Sequence, residues 1–151
     1  MGYGASPVIV PRLPAKKAGV AVTGTPGAIF TVSGGRIFLW SLFGNVTTVI
    51  GGTATSLLLR ANPTTGSDTD LCAAGVITSA PVGSLFAITG TTTDALTVVL
   101  ATQGAIRSST TPLIIQPGTI DLIVSSGGTT GAVDWYAAFD PVDAGATLVA
   151  A

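Results

Sequence analysis

The apolar and polar positions along this chain follow the pattern of β-strands throughout. Runs of β-branched or aromatic residues recur between clusters of Gly, Pro, Asn, Asp and Ser, and no segment keeps helical spacing over three turns. The predicted strands are Gly19–Thr23, Ala28–Ser33, Arg36–Phe43, Val46–Ile50, Ser56–Ala61, Thr69–Ala73, Ser84–Thr89, Leu96–Ala101, Leu113–Gln116, Gly118–Ser125 and Ala132–Phe139. So many short strands predict an all-β fold, for which we favour a jelly-roll-like β-sandwich.

The last predicted strand pair has the clearest pattern. Gly118–Ser125 and Ala132–Phe139 flank the glycine-rich sequence SSGGTTG, so we predict a hairpin. In the second strand, Asp134 and Tyr136 alternate with a bulky apolar set that includes Trp135, which we expect to anchor the core. The uncharged sequence ATLVAA at the end is predicted to pack as a closing strand.

Two other segments carry specific expectations. Arg36–Phe43 (RIFLWSLF) is apolar on both faces, so it is either a central strand or has its second face against another subunit. The single cysteine, Cys72, excludes an internal disulfide and lies among apolar residues, which predicts a small buried side chain.

The first seventeen residues differ from the rest, and we divide the chain into an extended arm, residues 1–17, and a β-sandwich domain, residues 18–151. The arm has three prolines and half of the basic residues of the chain, but no acidic residue. Proline disfavours a helix or a central strand there. The arm is either a solvated terminus or a segment that docks on an acidic neighbour. Its prolines and basic residues are Pro7, Pro11, Pro14, Arg12, Lys16 and Lys17.

Charge is unusually scarce. Only 9% of the residues are charged, 6 basic and 7 acidic, against about 25% in an ordinary soluble domain. Such a surface suits a protein whose faces are covered by copies of itself or by a partner. The net charge of −1 favours neither nucleic acid nor an anionic membrane as a partner. We see no signal peptide or membrane-spanning stretch, so we expect synthesis in the cytoplasm without secretion.

Residues suited to catalysis are few. There is no His, which excludes Ser-His-Asp and Cys-His arrangements and histidine metal ligands. The pairs Asp68/Asp70 and Asp140/Asp143 are best explained as turn formers, although Ca²⁺ near Asp68 and Asp70 stays open. The glycine-rich loops lack the lysine and helix of a phosphate-binding motif. We therefore predict a protein that is not an enzyme and that uses no cofactor.

Four segments together resemble a known family. They are GRIFLWSLFGNVTTVIGG, ANPTTGSDTDLCAAGVI, SLFAITG and PGTIDLIVSSGGTTGAVDWYAAFDPVDAGATLVAA. In their order they resemble small virion structural proteins of tailed bacteriophages, of the capsid decoration (cement) type, over residues 34–151. The resemblance implies a jelly-roll-like sandwich that stabilises a capsid, although DWYAAFDPVD has fewer basic residues than the family pattern.

This resemblance sets the functional expectations. The partner would be the major capsid protein, the location the capsid surface of the virion, and the protein a homo-oligomer, with a trimer preferred to a dimer by analogy. The alternatives are a head-fibre base, a tail component, or a receptor- or carbohydrate-binding module, in which Tyr136 and Asp134 would begin a sugar site. The residues expected to contact the partner are Pro7, Pro11, Arg12, Pro14, Lys16, Lys17, Arg36 and Trp40.

Overall fold

The computed structural model describes residues 12–24, 27–53, 55–101, 104–106, 111–125 and 130–151. Within these ranges the regular structure is β-strand, and no helix is long and apolar enough to cross a membrane. The strands are β1 (Leu13–Ala21), β2 (Gly27–Ser33), β3 (Ile37–Thr48), β4 (Ser56–Pro63), β5 (Thr69–Asp70), β6 (Gly75–Val76), β7 (Leu85–Ala87), β8 (Thr97–Val99), β9 (Leu113–Ile115), β10 (Gly118–Ser125), β11 (Ala132–Pro141) and β12 (Thr147–Ala150).

The strands form two antiparallel sheets that pack face to face. Sheet A has the order β1-β11-β3-β7-β8, with β9 also paired to β3. Sheet B has the order β12-β2-β10-β4-β5, with β6 also paired to β4. The predicted all-β sandwich is confirmed. Its first four strands alternate between the sheets, so each connection crosses from one layer to the other.

The core lies between the inner faces of the sheets, and β11 supplies its largest side chain. The inward side chains of β11 are buried at every second position, as the alternation predicts. The Trp135 side chain is fully buried and packs at 6.5 Å from the Phe86 ring, which confirms it as a core anchor. The predicted closing strand is also confirmed, since β12 pairs with β2 and buries Leu148.

Strand β3 is longer than predicted, because it runs without a break through Gly44 and Asn45. It lies between β11 and β7, so the prediction of a central strand is confirmed. Gly44 pairs with Trp135, and a Cβ at this position would lie 2.7 Å from Val133 Cγ1 and 3.0 Å from the Trp135 ring. The glycine therefore makes room for the indole and does not form the turn that separated two predicted strands.

The predicted hairpin between β10 and β11 is wrong. Strand β10 lies between β2 and β4 in sheet B, whereas β11 lies between β1 and β3 in sheet A. The chain is held at the crossing by two backbone hydrogen bonds, from Val22 N–H to Gly131 O and from Gly51 N–H to Thr130 O. The two strands therefore lie in opposite sheets, and both bury their apolar sides in the core.

The predicted boundary between arm and domain, after Lys17, falls inside β1. Residues from Leu13 to Lys17 pair with β11, which makes them part of sheet A. Because β1 is an edge strand, Pro14 is tolerated there. Pro7 and Pro11 lie outside the described residues, as does the rest of the predicted arm before Arg12.

Candidate functional site

The outer face of sheet A differs from the rest of the surface formed by the described residues in its aromatic side chains. The inward residues of β3 and β11 fill the core, so the residues between them point outward, where they are half-buried. We call this surface the aromatic face. It comprises Phe38, Trp40 and Phe43 from β3, Asp134, Tyr136, Ala138 and Asp140 from β11, and Arg12, Pro14 and Lys16 from the start of the chain and β1.

At one end of the aromatic face, Arg12, Trp40 and Asp140 form a connected group. The Trp40 indole Nε1 donates a hydrogen bond of 2.7 Å to Asp140 Oδ2. The Arg12 guanidinium carbon lies 3.9 Å from the centroid of the indole ring, and Arg12 Nε is 3.9 Å from the same carboxylate oxygen. The cation therefore interacts with both the ring face and the carboxylate. Trp40 is placed for this contact by a bulge in the pairing of β3 with β11.

At the other end, Lys16, Tyr136 and Phe43 form a stack. The Phe43 and Tyr136 rings are nearly parallel with centroids 5.1 Å apart, and Lys16 Nζ lies 5.1 Å from the Tyr136 centroid. Lys16 Nζ is also 3.3 Å from Asp134 Oδ2, while Asp134 Oδ1 accepts a 2.7 Å hydrogen bond from Gly19 N–H. Contact with the Tyr136 hydroxyl, and then with Asp134, raises the pKa of Lys16. The Gly19 amide, more than Lys16, lowers the pKa of Asp134.

Between these two ends lies a shallow depression of about 490 Å³. Its floor is low because the side chains of Ser41 and Ala138, which stand opposite each other on β3 and β11, are small. The larger aromatic side chains on either side rise above them. The depression is lined by Pro14, Ala15, Lys16, Ser41, Phe43, Tyr136, Ala137 and Ala138.

The structure brings four of the predicted contact residues, Arg12, Pro14, Lys16 and Trp40, onto the aromatic face. Lys17 instead donates a hydrogen bond to Ala151 O at the edge of the sandwich. Arg36 lies in a turn and binds Asp143 through two hydrogen bonds of 2.8 and 2.9 Å.

Sequence reasoning did not name Phe38, Phe43 and Asp140 as members of this surface. The alternation in β11 places Asp140 on the same side as Asp134 and Tyr136, so its position on this surface could have been predicted from the sequence. The bulge in β3 shifts which residues point outward between Trp40 and Phe43. No local sequence pattern predicts this bulge.

Two basic residues in the described part of the predicted arm, Arg12 and Lys16, contact acidic residues of the same chain. Arg12 contacts Asp140 and Lys16 contacts Asp134, both across the β1–β11 pair. The sequence suggested an acidic neighbour for these residues without identifying it. Here the neighbour is the adjacent strand, more than a hundred residues away in sequence.

The paired aspartates do not converge on a shared site. Asp70 Oδ1 accepts a 2.6 Å hydrogen bond from Arg60 Nε, and the Asp143 carboxylate is held by Arg36. Across the described ranges, no group of three or more Cys, Asp, Glu or His side chains could hold a metal ion. Cys72 is fully buried, and this burial raises the pKa of its thiol. Arg60–Asp70 and Arg36–Asp143 thus form ion pairs within the fold.

A second, smaller opening lies between the two sheets at their other edge. Its volume is about 180 Å³, and its walls come from β4 and β5 of sheet B and from β9 of sheet A. Ile114 on β9 is 58% exposed beside it. Its lining carries no charged side chain and consists of Ala61, Pro63, Ser67, Thr69, Leu71, Thr92, Leu113, Ile114, Ile115 and Gln116.

No protein family, curated protein or solved structure matches this chain.

Proposed function

We propose that this protein is a structural component of a tailed-phage virion, a capsid decoration or cement protein that binds and stabilises the lattice of the major capsid protein. It acts by occupying a surface and catalyses no reaction. The proposal is supported by the resemblance in sequence and by the way the protein uses its few charges.

The main observation behind the proposal is that the charged side chains bond to other groups of the same chain. Among the described cations, all but one form an ion pair with an aspartate of the same chain, and Lys17 donates to a backbone oxygen. Asp121 and Asp94 accept hydrogen bonds from neighbouring Thr or Asn side chains. Most of the described charges are thus bonded within the fold and contribute little to steering a charged ligand. A partner meets a nearly neutral surface, which favours association through fit and buried area.

The aromatic face is the part of this surface that we propose as the capsid-binding side. Half-buried aromatic side chains supply large contact area with few rotatable bonds, a composition enriched in protein interfaces. The depression lined by Phe43, Tyr136 and Ala138 would accept a protruding side chain of the partner. Each copy needs to contribute only about a few kcal/mol, since repetition over a lattice multiplies the effect.

The strand order supports the jelly-roll-like interpretation. Sheet A contains β1, β11, β3 and β7 in that order, and sheet B contains β2, β10, β4 and β5. Each six-stranded sheet thus contains four strands in an interleaved order that is typical of jelly rolls, which occur in viral capsid proteins and lectins. A fold shared by several functions does not select among them.

Carbohydrate binding is the alternative that the geometry favours least. A sugar ring stacks on an open aromatic face, yet Lys16 and Phe43 both lie against Tyr136, and Arg12 covers Trp40. Asp134, the expected hydrogen-bonding partner, is already bonded to Gly19 and Lys16. A head-fibre base or tail component stays an alternative location, which cryo-electron microscopy of virions would distinguish.

The test is mass spectrometry of purified virions, with the copy number per particle, for the wild type and two matched variants. Phe43→Lys places a charge on the aromatic face, whereas Ile123→Lys places one on the outer face of sheet B; both side chains are half-buried on central strands. We expect Phe43→Lys to lower the copy number and Ile123→Lys to leave it unchanged. Circular dichroism checks that both variants fold. Absence of the protein from virions would refute the proposal.

The predicted arm needs a separate variant. Deletion of residues 1–17 would remove half of β1 and disturb sheet A. Deletion of residues 1–11 keeps β1, together with Arg12 and Lys16. A lower copy number for this shorter deletion would support an arm that holds the capsid or a neighbouring copy, and an unchanged copy number would restrict binding to the sandwich.

A further inference from the structure

We infer that two copies of this chain pair through their β12 strands, which joins their B sheets into one continuous antiparallel sheet across a twofold axis. This goes beyond the proposed function, because it needs no capsid and concerns the isolated protein.

Strand β12 lies at the edge of sheet B. This strand pairs with β2 on one side, and no described strand pairs with its other side. Ala151 N–H donates to Ile29 O, and backbone groups alternate in direction along an antiparallel strand. Val149 and Thr147 therefore bond to β2, while the N–H and C=O groups of Leu148 and Ala150 point outward.

The edge of β12 lacks the features that normally prevent strands from pairing between molecules. Such features are charged residues, proline, bulges and very short strands. The β1 edge of sheet A, on the same side of the sandwich, has Pro14, Lys16 and Lys17 and a bulge between Lys17 and Val20. Strands β5, β6, β8 and β9 have only two or three residues each. The sequence TLVA of β12 has no charged residue, proline or bulge, and its four residues make it longer than those four strands.

A second copy is the partner that this edge fits, because the pattern is complementary to itself. About a twofold axis through Val149, Leu148 of each copy lies opposite Ala150 of the other, and each pair exchanges two N–H···O=C hydrogen bonds. Val149, which is 51% exposed, then lies directly opposite Val149 of the second copy. This pair buries two β-branched side chains that water surrounds in the monomer.

The side chains that flank Val149 on the outer face of sheet B are compatible with this pairing. The outward side chains beside Val149 are Thr31, Ser33 and Thr147, and Ser33 Oγ lies 3.0 Å from Thr147 Oγ1. None of them is charged. Lys17 bonds to Ala151, which the twofold axis places opposite Thr147 of the second copy. The two Lys17 side chains therefore lie at opposite ends of the paired segment. A twofold pair gives a dimer in place of the trimer expected by analogy.

The experiment is sedimentation equilibrium of the full chain over a range of concentrations, with three substitutions. Val149→Lys sets like charges opposite each other, and Ala150→Pro removes an outward N–H without touching a hydrogen bond to β2. Val82→Lys is the matched control, since Val82 is 53% exposed and lies in a turn between β6 and β7. We expect the wild type and Val82→Lys to approach twice 14.9 kDa, and the other two variants to stay monomeric.

A cross-link then identifies the interface. Opposed residues of a non-hydrogen-bonded pair have Cα atoms about 4.5 Å apart, within the range for a disulfide. Val149→Cys should form an intermolecular disulfide on mild oxidation, whereas Val82→Cys should not. A monomeric wild type, a dimer that persists in Val149→Lys and Ala150→Pro, or a dimer without the Val149→Cys cross-link would overturn the inference. So would a β12 edge that binds only the capsid protein. These outcomes leave the proposed capsid role standing, because virion copy number tests that role separately.

Discussion

Trp40 and Asp140 are joined by a 2.7 Å hydrogen bond from the indole Nε1 to Oδ2 of the carboxylate, across the β3–β11 pair. Arg12 lies over the same indole ring and beside the same carboxylate. The start of β1, the end of β11 and the middle of β3 are therefore held together by side chains on the outer surface as well as by the backbone ladder.

Removal of the Asp140 carboxylate tests this connection. We expect Asp140→Ala to lower the free energy of unfolding by about 1–2 kcal/mol, because the half-buried indole N–H loses its partner. Urea denaturation followed by circular dichroism measures the loss. In a Trp40→Phe background, where there is no N–H to satisfy, the same substitution should cost less. Equal costs in the two backgrounds would show that the hydrogen bond contributes nothing.

Gly44 should not tolerate even a methyl group. A Cβ there would lie 2.7 Å from Val133 Cγ1, so we expect Gly44→Ala to destabilise the protein by about 1–3 kcal/mol through overpacking. Gly27→Ala is the control, since it lies in a strand with nothing within 4 Å of the added Cβ. Thermal unfolding compares the two variants. Val133→Ala should reduce the cost of Gly44→Ala, and a cost that is the same in both backgrounds would contradict the steric explanation.

Acid should weaken the protein partly through Asp143. The Arg36 side chain, and then the Arg36 backbone N–H, hold the pKa of this carboxyl well below its usual range. A depressed pKa in the folded state means that the stabilisation is complete above the unfolded value of about 3.9 and is lost as pH falls below it.

We therefore expect the wild-type urea midpoint to fall more steeply below about pH 4 than that of Asp143→Asn, which has no carboxyl to protonate. Arg36→Gln, which removes the partner instead, should flatten the profile in the same way. Parallel profiles for the wild type and Asp143→Asn would show that this ion pair does not couple folding to pH.

The reactivity of the Cys72 thiol should increase when the protein unfolds. The side chain of Cys72 is fully buried, and burial raises the pKa of the thiol. In the folded protein a reagent therefore has little access to the sulfur, and little of the thiol is in the reactive thiolate form. We expect reaction with Ellman's reagent to be slow in buffer and to accelerate across the urea transition. Val82→Cys adds an exposed thiol as a control and should react at once. Rapid labelling of the wild type in buffer would mean that the core opens locally around Cys72.

Local pattern was sufficient for the features of the fold that depend on one strand at a time. The alternation in β11 predicted that Trp135 is buried and that Asp134 and Tyr136 point outward, because successive side chains of a strand alternate between its faces. The apolar residues on both faces of Arg36–Phe43 predicted either a central strand or a second face against another subunit, and the strand is central in sheet A. The closing strand followed from its uncharged, β-branched composition.

Pairing between distant strands could not be predicted in this way. A glycine-rich loop between β10 and β11 is compatible with a hairpin, yet the strands belong to different sheets because both must bury an apolar face against the other layer. In the sequence alone, Gly44 has the properties of a turn residue. The structure shows instead that it makes room for Trp135, which lies on a strand far along the chain.

The sequence by itself determined that the protein is an all-β sandwich with a scarcity of charge, since strand periodicity and composition are local properties. Only the tertiary structure decided which charged residues form ion pairs and which aromatic residues lie on the same face of the sheet. Arg12 forms an ion pair with Asp140, and Lys16 with Asp134, because β1 pairs with β11. That choice depends on the total buried area and hydrogen bonding of two complete sheets, which no single segment encodes.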